Sequence, residues 1–266
     1  MMSTVSSEFN GVKIAEFISS WMNDYANTAN IDSFVVGVSG GIDSAVTATL
    51  CLMTGRPVYV VDMPIHQASS EVERSRELCK LLESRFNNFE MITVPLTEVY
   101  EATKSTLPQI EDVSGGLTFA NIRARLRMTT LYALAAQRRA LVVGTGNKIE
   151  DFGVGFFTKY GDGGVDISPI ADLVKSEVYK VGEAIGVPRS ILEAAPTDGL
   201  WGDDRTDEDQ IGASYPELEI AMTFSENQGD PSTLSGRVLD VYEIYTRLNK
   251  VNQHKILPIP VCTIPR

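Results

Sequence analysis

Apolar residues recur along this chain in two alternating rhythms. Residues 11–28, GVKIAEFISSWMNDYANT, space Ile14, Ile18, Trp21, Met22 and Tyr25 as one face of an opening helix. SFVVGV (33–38) is a short β-branched run, the mark of a strand buried on both sides. A loop, SGGIDS (39–44), leads into a helical AVTATLCLM. The rhythm then repeats. PVYVVDMP (57–64) predicts a second strand and SSEVERSRELCKLLESRF (69–86) a second helix; FEMITV (89–94) predicts a third strand, with a helical stretch near 96–106. NIRARLRMTTLYALAAQRR (121–139) is a long helix feeding a fourth strand, ALVVGT (140–145). Strands alternating with helices predict an α/β fold: a doubly wound, mostly parallel sheet with helices on both faces.

Beyond residue 145 the pattern changes. GVGFFTKYGDGGVD (153–166) is glycine-rich and aromatic and reads as a long ordered loop. VKSEVYKVGEAIG (174–186) predicts a helix closed by Gly186 and Pro188. TDGLWGDDRTDEDQIG (197–212) is acidic with little to bury, so residues 198–212 are expected to act as a mobile lid. PSTLSGRVLDVYEIYTRLNK (231–250) predicts a last amphipathic helix with Leu234, Val238, Val241, Tyr242 and Tyr245 on one side, and the proline-bearing tail from Gln253 onward is expected not to be helical. With no repeat or linker, residues 1–266 read as one domain.

Composition narrows the function. The 266 residues carry 35 acidic against 23 basic side chains, a formal charge of −12, which argues against a general nucleic-acid binder. No apolar run reaches the roughly 18–20 residues needed to cross a bilayer. The start, MMSTVSSEFNGVK, lacks the pattern of a secretory signal, so a cytoplasmic protein is expected. Cys51, Cys79 and Cys262 are odd in number and without CxxC spacing, excluding a disulfide framework or a cysteine zinc site.

The chemistry concentrates in Gly37-Val38-Ser39-Gly40-Gly41-Ile42-Asp43-Ser44. Two glycines let the backbone turn tightly and approach a ligand. The following N–H groups lie at a helix N-terminus, where anions are favoured. Ser39 and Ser44 add hydroxyl donors. The loop suits a phosphate chain, yet it is neither G-x-G-x-x-G nor the Walker G-x-x-x-x-G-K-S/T. Its distinguishing residue is Asp43, a carboxylate within an anion site, which calls for a bridging cation such as Mg²⁺. The plainer alternative makes Asp43 a helix N-cap.

S-G-G-x-D-S after a first strand is the signature of the PP-loop ATP pyrophosphatases, whose fold is Rossmann-like, of the adenine nucleotide alpha hydrolase type. The loop alone does not choose among GMP, asparagine, argininosuccinate and NAD synthetases or tRNA-modifying enzymes. Further stretches do. Asn121-Ile-Arg-Ala-Arg125-Leu-Arg-Met128 resembles the N-x-x-A-R-x-R-M helix of NAD synthetases, and Gly144-Thr145-Gly-Asn147-Lys148-Ile-Glu150 their G-T-x-N-K-x-E turn. Phe157-Thr-Lys159-Tyr-Gly-Asp162-Gly-Gly164 is similar to their F-T-K-Y-G-D-G-G loop. Leu173-Val-Lys175, Pro196-Thr197, Asp207 to Tyr215 and His254-Lys255 resemble four more. From about residue 12 to 256 the chain resembles the short, ammonia-dependent NAD synthetases without a glutaminase domain. Three stretches depart from the family: Asp151 to Gly155 is one residue longer than in some members, MPIHQASS (63–70) lies where L-P-Y and more acidic residues are usual, and the tail after Lys255 follows no family pattern.

The resemblance implies a carbon–nitrogen ligase that amidates deamido-NAD with ammonia, through an acyl-adenylate made from ATP. It implies catalytic roles for Asp43 and Lys175, and Mg²⁺ held by Asp43 and Glu150. It places ATP on Gly37, Val38, Ser39, Gly40, Gly41, Ile42, Asp43, Ser44, Thr145, Lys175 and Thr197. Deamido-NAD contacts fall on Arg125, Lys159, Asp166, His254 and Lys255. It also implies a homodimer with the dinucleotide site near the interface. The runner-up is another PP-loop amide- or thio-transfer enzyme; the FTKYGDGG stretch argues against it.

Overall fold

In the computed structural model, residues 9–108, 116–197, 199–200 and 206–265 are described. The chain begins with α1 (Gly11–Ala29), then β1 (Ser33–Val38), α2 (Ile42–Met53), β2 (Val58–Asp62), α3 (Ser69–Arg85), β3 (Phe89–Thr93) and α4 (Thr97–Thr106). After α5 (Leu117–Arg138) and β4 (Ala140–Val143) it is mainly helical: a π-helical turn (Lys148–Val154), α6 (Lys175–Ala184), α7 (Arg189–Leu192), α8 (Asp207–Ile211), α9 (Tyr215–Glu226) and α10 (Gly236–Ile256). The four strands form a parallel sheet in the order β3-β2-β1-β4, as the alternating rhythm predicts.

Alternation along β1 explains the two layers. Phe34, Val36 and Val38 point into one core with α1, α2, α3 and α6, while Val35 points into another with α4 and α5. Both faces are apolar because both are covered. A third core joins Ile149 and Val154 of the π-turn to Leu218 and Met222 of α9 and to Val241 and Tyr245 of α10.

Three expectations about the helices need correction. The buried face of α1 is Ala15, Ile18, Ser19, Met22 and Ala26, whereas Trp21 and Tyr25 stack on each other near the surface. Small residues at 15 and 26 bring the helix close to its neighbours, and large aromatics would hold it off. In α10 the buried side is Val241 and Tyr245, flanked by Ile244 and Leu248; Val238 is exposed and Leu234 precedes the helix. The tail is helical through Ile256, because Pro258 constrains only the residues next to it. Of the expected lid, residues 198 and 201–205, including Trp201, lie outside the described residues, whereas 207–211 form α8, which Ile211 anchors in the third core, so this part is not a mobile loop.

Candidate active site

β1 ends at the glycine loop, and α2 begins immediately after it. Gly40 has φ +82, and a Cβ there would lie 2.5 Å from the Glu71 carbonyl oxygen, so this position requires glycine. Arg74 Nε donates to the Gly40 carbonyl at 3.1 Å, clamping the loop to α3. Inside the loop, Ser44 Oγ accepts from the Ser39 N–H at 3.2 Å and donates to the Gly41 carbonyl at 3.1 Å. The N-cap of α2 is Gly41, which excludes Asp43 as a cap.

Asp43 instead points at a lysine from the far half of the chain. Lys175 Nζ donates to Asp43 Oδ2 at 2.6 Å and to Glu150 Oε1 at 2.9 Å. Lys175 is the first residue of α6, where the helix dipole disfavours a cation, and it is 3% exposed. Its two carboxylate partners account for its presence there. Burial pushes Asp43 upward from the usual carboxylate range, only partly offset by Lys175. Burial also acts on Glu150, but Lys175, the Tyr215 hydroxyl and Asn147 outweigh it and hold Glu150 low. Lys175 is raised, because its two carboxylates overcome the penalty of burial.

Glu150 sits in the π-helical turn, whose N-cap is Asn147. Such turns recur at functional sites. Tyr215, the first residue of α9, donates its hydroxyl to Glu150 Oε1 at 2.5 Å, with Asp207 Oδ2 3.2 Å away. Next to Glu150, Asp151 is raised well above the ordinary range by burial and by Glu150, Asp162 and Asp43. Asp162 accepts from the Thr158 N–H at 3.0 Å; burial of its carboxyl group pushes it up to about 6, although its loop residue is solvent-accessible at the cleft.

Asp43, Glu150, Asp151, Asp162, Lys175 and Asp207 line one cleft of about 250 Å³ at the carboxyl ends of the strands, where doubly wound sheets place ligands. Gly37 to Ser44, Thr145, Glu150, Lys175 and Thr197 all face it. Arg127, Asp62 and Gln67 line it too. Arg127 Nε donates to the Met63 carbonyl at 3.2 Å and its NH2 group to Gln67 Oε1 at 2.8 Å. Over the cleft, the Leu200 carbonyl accepts from Arg123 at 2.5 Å.

The other predicted contacts lie elsewhere. Arg125, Lys159, His254 and Lys255 gather outside the cleft: Arg125 Nε donates to the Lys159 carbonyl at 3.3 Å, and Lys159 Nζ donates to the His254 carbonyl. Lys255 Nζ donates to the carbonyls of Gly155 at 2.6 Å and Phe157 at 2.8 Å, and burial lowers its pKa. Asp166 is apart from these four, accepting from the Val142 N–H at 2.8 Å and the Tyr132 hydroxyl at 3.0 Å.

The two carboxylates that Lys175 joins also suit a divalent ion. Mg²⁺ commonly takes only one or two protein carboxylates and completes its shell with phosphate and water. Among the described residues no group of three or more histidine, cysteine, aspartate or glutamate side chains is arranged to hold a metal ion.

The family model for NAD synthase matches residues 14–258. The chain belongs to the NAD synthase family. An NH3-dependent NAD⁺ synthetase of Methanococcoides burtonii is 41% identical over 72% of this chain and 71% of its own. That of Carboxydothermus hydrogenoformans is 35% identical over 90% and 93%. Among solved structures, an NMN synthetase of Francisella tularensis superposes with a TM-score of 0.84 at 31% identity, over 97% of this chain and all of the other. As a family member the chain is a ligase that forms a carbon–nitrogen bond and uses ATP as co-substrate.

What sequence reasoning missed are the residues that hold the acids in place. Asn147 and Tyr215 fall inside recognised stretches, yet neither carries a chemical signature of its own. Arg127 is one of three closely spaced arginines, and only the fold turns it, rather than Arg125, into the cleft.

Proposed function

We propose that the chain amidates the nicotinate carboxylate of deamido-NAD with ammonia. A carboxylate is a poor electrophile, so its oxygen first attacks the ATP α-phosphorus and pyrophosphate leaves. Ammonia then adds to the acyl carbon and AMP departs. The observation that carries this reading is the convergence of Asp43, Glu150 and Lys175 beside the glycine loop in one cleft.

In this reading Gly37 to Ser44, Thr145, Lys175 and Thr197 hold ATP. Backbone N–H groups at the start of α2 receive phosphate oxygens, and Ser39 and Ser44 orient the loop. Asp43 and Glu150 hold Mg²⁺, which when bound neutralises charge on the phosphates. Lys175 supplies a fixed cation where an anionic substrate meets a triphosphate. Leu200, held at the cleft through Arg123, shields the acyl-adenylate from water.

Arg125, Lys159, His254 and Lys255 lie outside their own chain's cleft, which supports a homodimer in which they reach deamido-NAD across the subunit boundary. Asp166 belongs with them by resemblance, while its bonds to Val142 and Tyr132 also brace the end of the sheet. A single domain and a cytoplasmic setting, where ATP is at hand, complete the reading.

A second reading concerns the size of the substrate. The likeness to an NMN synthetase, at TM-score 0.84, exceeds that to an NAD⁺ synthetase of Burkholderia pseudomallei, at 0.70 and 26% identity. It favours the mononucleotide, nicotinate mononucleotide, amidated by the same chemistry. Turnover with ATP, Mg²⁺ and ammonium, comparing nicotinate mononucleotide with deamido-NAD, decides between them. The first reading expects the larger kcat/KM for deamido-NAD; a larger value for the mononucleotide supports the second.

A further inference from the structure

Asn147 is fully buried, and its side chain makes three hydrogen bonds that fix its orientation. Oδ1 accepts from the N–H groups of Ile149 and Glu150, each at 3.1 Å, and so caps the turn that carries Glu150. The amide nitrogen then faces the other way, and Nδ2 donates to Asp43 Oδ1 at 3.1 Å. One side chain therefore grips the backbone of one acid and the carboxyl group of the other.

We propose that Asn147 is a positioning residue for the divalent cation that accompanies ATP. The inference rests on the reading that Asp43 and Glu150 hold that cation. A carboxyl group turns easily about its last side-chain bond. Occupying Oδ1 of Asp43 with an N–H donor stops that rotation and keeps Oδ2 on the side of Glu150, where both acids now meet the Lys175 ammonium. A charged donor in place of the amide would cancel the negative charge that attracts a metal; a neutral amide orients the acid and leaves its charge intact. The same residue sets the height of Glu150 through the cap. Metal-ligand acids elsewhere depend on such partners, whose loss costs about 10- to 100-fold in metal affinity or activity.

The test separates the cap from the clamp. Asn147→Ser keeps an acceptor of the kind favoured at helix N-termini but is too short to donate to Asp43. Wild type, Asn147→Ser and Asp43→Asn are compared by thermal unfolding and by calorimetric binding of α,β-methylene-ATP at increasing Mn²⁺, which gives a half-saturating Mn²⁺ concentration. Asn147→Ser should raise that concentration about tenfold, and Asp43→Asn at least as much. A purely structural role would lower the unfolding temperature and leave the Mn²⁺ dependence where it was. A shift in Asp43→Asn without one in Asn147→Ser overturns the positioning role alone. No shift in Asp43→Asn overturns the metal reading, and the proposal falls with it. If Asn147→Ser does not fold, Asn147→Thr, which fills more of the amide's volume and has the same acceptor, is read in the same way.

Discussion

The ammonium of Lys175 and the carboxylate of Asp43 stand 2.6 Å apart, although 132 positions separate them in the chain. The contact joins the first residue of α6 to the first turn of α2, and Glu150 closes it from a third segment. One ammonium compensates two part-buried acids. The set retains a net negative charge, which a divalent cation can use.

Lys175→Met should therefore cost stability as well as turnover. Removing the cation leaves Asp43 and Glu150 buried without it, a change that usually costs about 3–5 kcal/mol. Added Mg²⁺ should raise the unfolding temperature of this variant more than that of wild type, because it supplies the missing charge. Differential scanning calorimetry with and without Mg²⁺ measures this; equal Mg²⁺ shifts in the two proteins would contradict it.

Asp43→Asn should fold and lose turnover by about 10²-fold or more, since the acid sits part-buried within the glycine loop, faces Lys175 and is not a helix cap. Pyrophosphate release by the folded variant gives the answer directly. Near-normal rates would remove Asp43 from the chemistry.

Gly40→Ala tests the loop itself. Positive φ and a Cβ 2.5 Å from the Glu71 carbonyl oxygen leave no room for a methyl group. The strain alone should cost about 1–3 kcal/mol, with weakened ATP binding as the loop moves away from α3. Urea unfolding checks the first effect and nucleotide titration the second; an unchanged urea midpoint would show that the loop shifts freely.

Asp162 gives a pH dependence with a definite sign. Burial raises its folded pKa to about 6 from an ordinary value of 3.8, so the folded protein holds the proton more tightly than the unfolded chain. Its contribution to stability is fully present below pH 4, is lost as pH rises from about 4 to 6, and is constant above that. Asp162→Asn keeps an acceptor for the Thr158 N–H but cannot ionise. It should gain stability over wild type at pH 7.5 and show no gain at pH 4. A gain equal at both values would rule out ionisation as the cause.

The two buried cysteines offer no route to glutamine. Hydrolysis of its amide needs an activated nucleophile, whereas Cys51 and Cys79 are buried, and burial pushes the Cys79 thiol up to about 11 and Cys51 further. Replacing all three by serine should leave ammonium-dependent turnover intact, and wild type should release no glutamate from glutamine. Glutamate release that disappears in the serine variant would contradict this.

Much of the fold could be read from the chain because its signals are local. Val35 and Val36 must face opposite sides of a strand, and the glycines of the loop demand a tight turn before α2. The face of α1 was less legible: Trp21 and Tyr25 have the right spacing and apolarity, but Ala15 and Ala26 pack closer, and only the neighbouring helices decide between them. The site divides in the same way. Asp43, Glu150 and Lys175 stand in recognisable stretches and meet in space. Asn147 and Tyr215 act through hydrogen bonds to partners far along the chain, which no spacing rule reveals. Arg125 and Arg127 differ by two positions, and their opposite placement follows from the packing of α5.

The central claim is that ATP is split between its α and β phosphates to activate a nicotinate carboxylate for attack by ammonia. Its most direct test is the stoichiometry of a single reaction with ATP, Mg²⁺, ammonium and deamido-NAD. AMP, pyrophosphate and NAD should form in equal amounts, and omitting either ammonium or the nicotinate nucleotide should abolish NAD formation. Release of ADP and phosphate, or ATP cleavage at an undiminished rate without any nicotinate nucleotide, would contradict it.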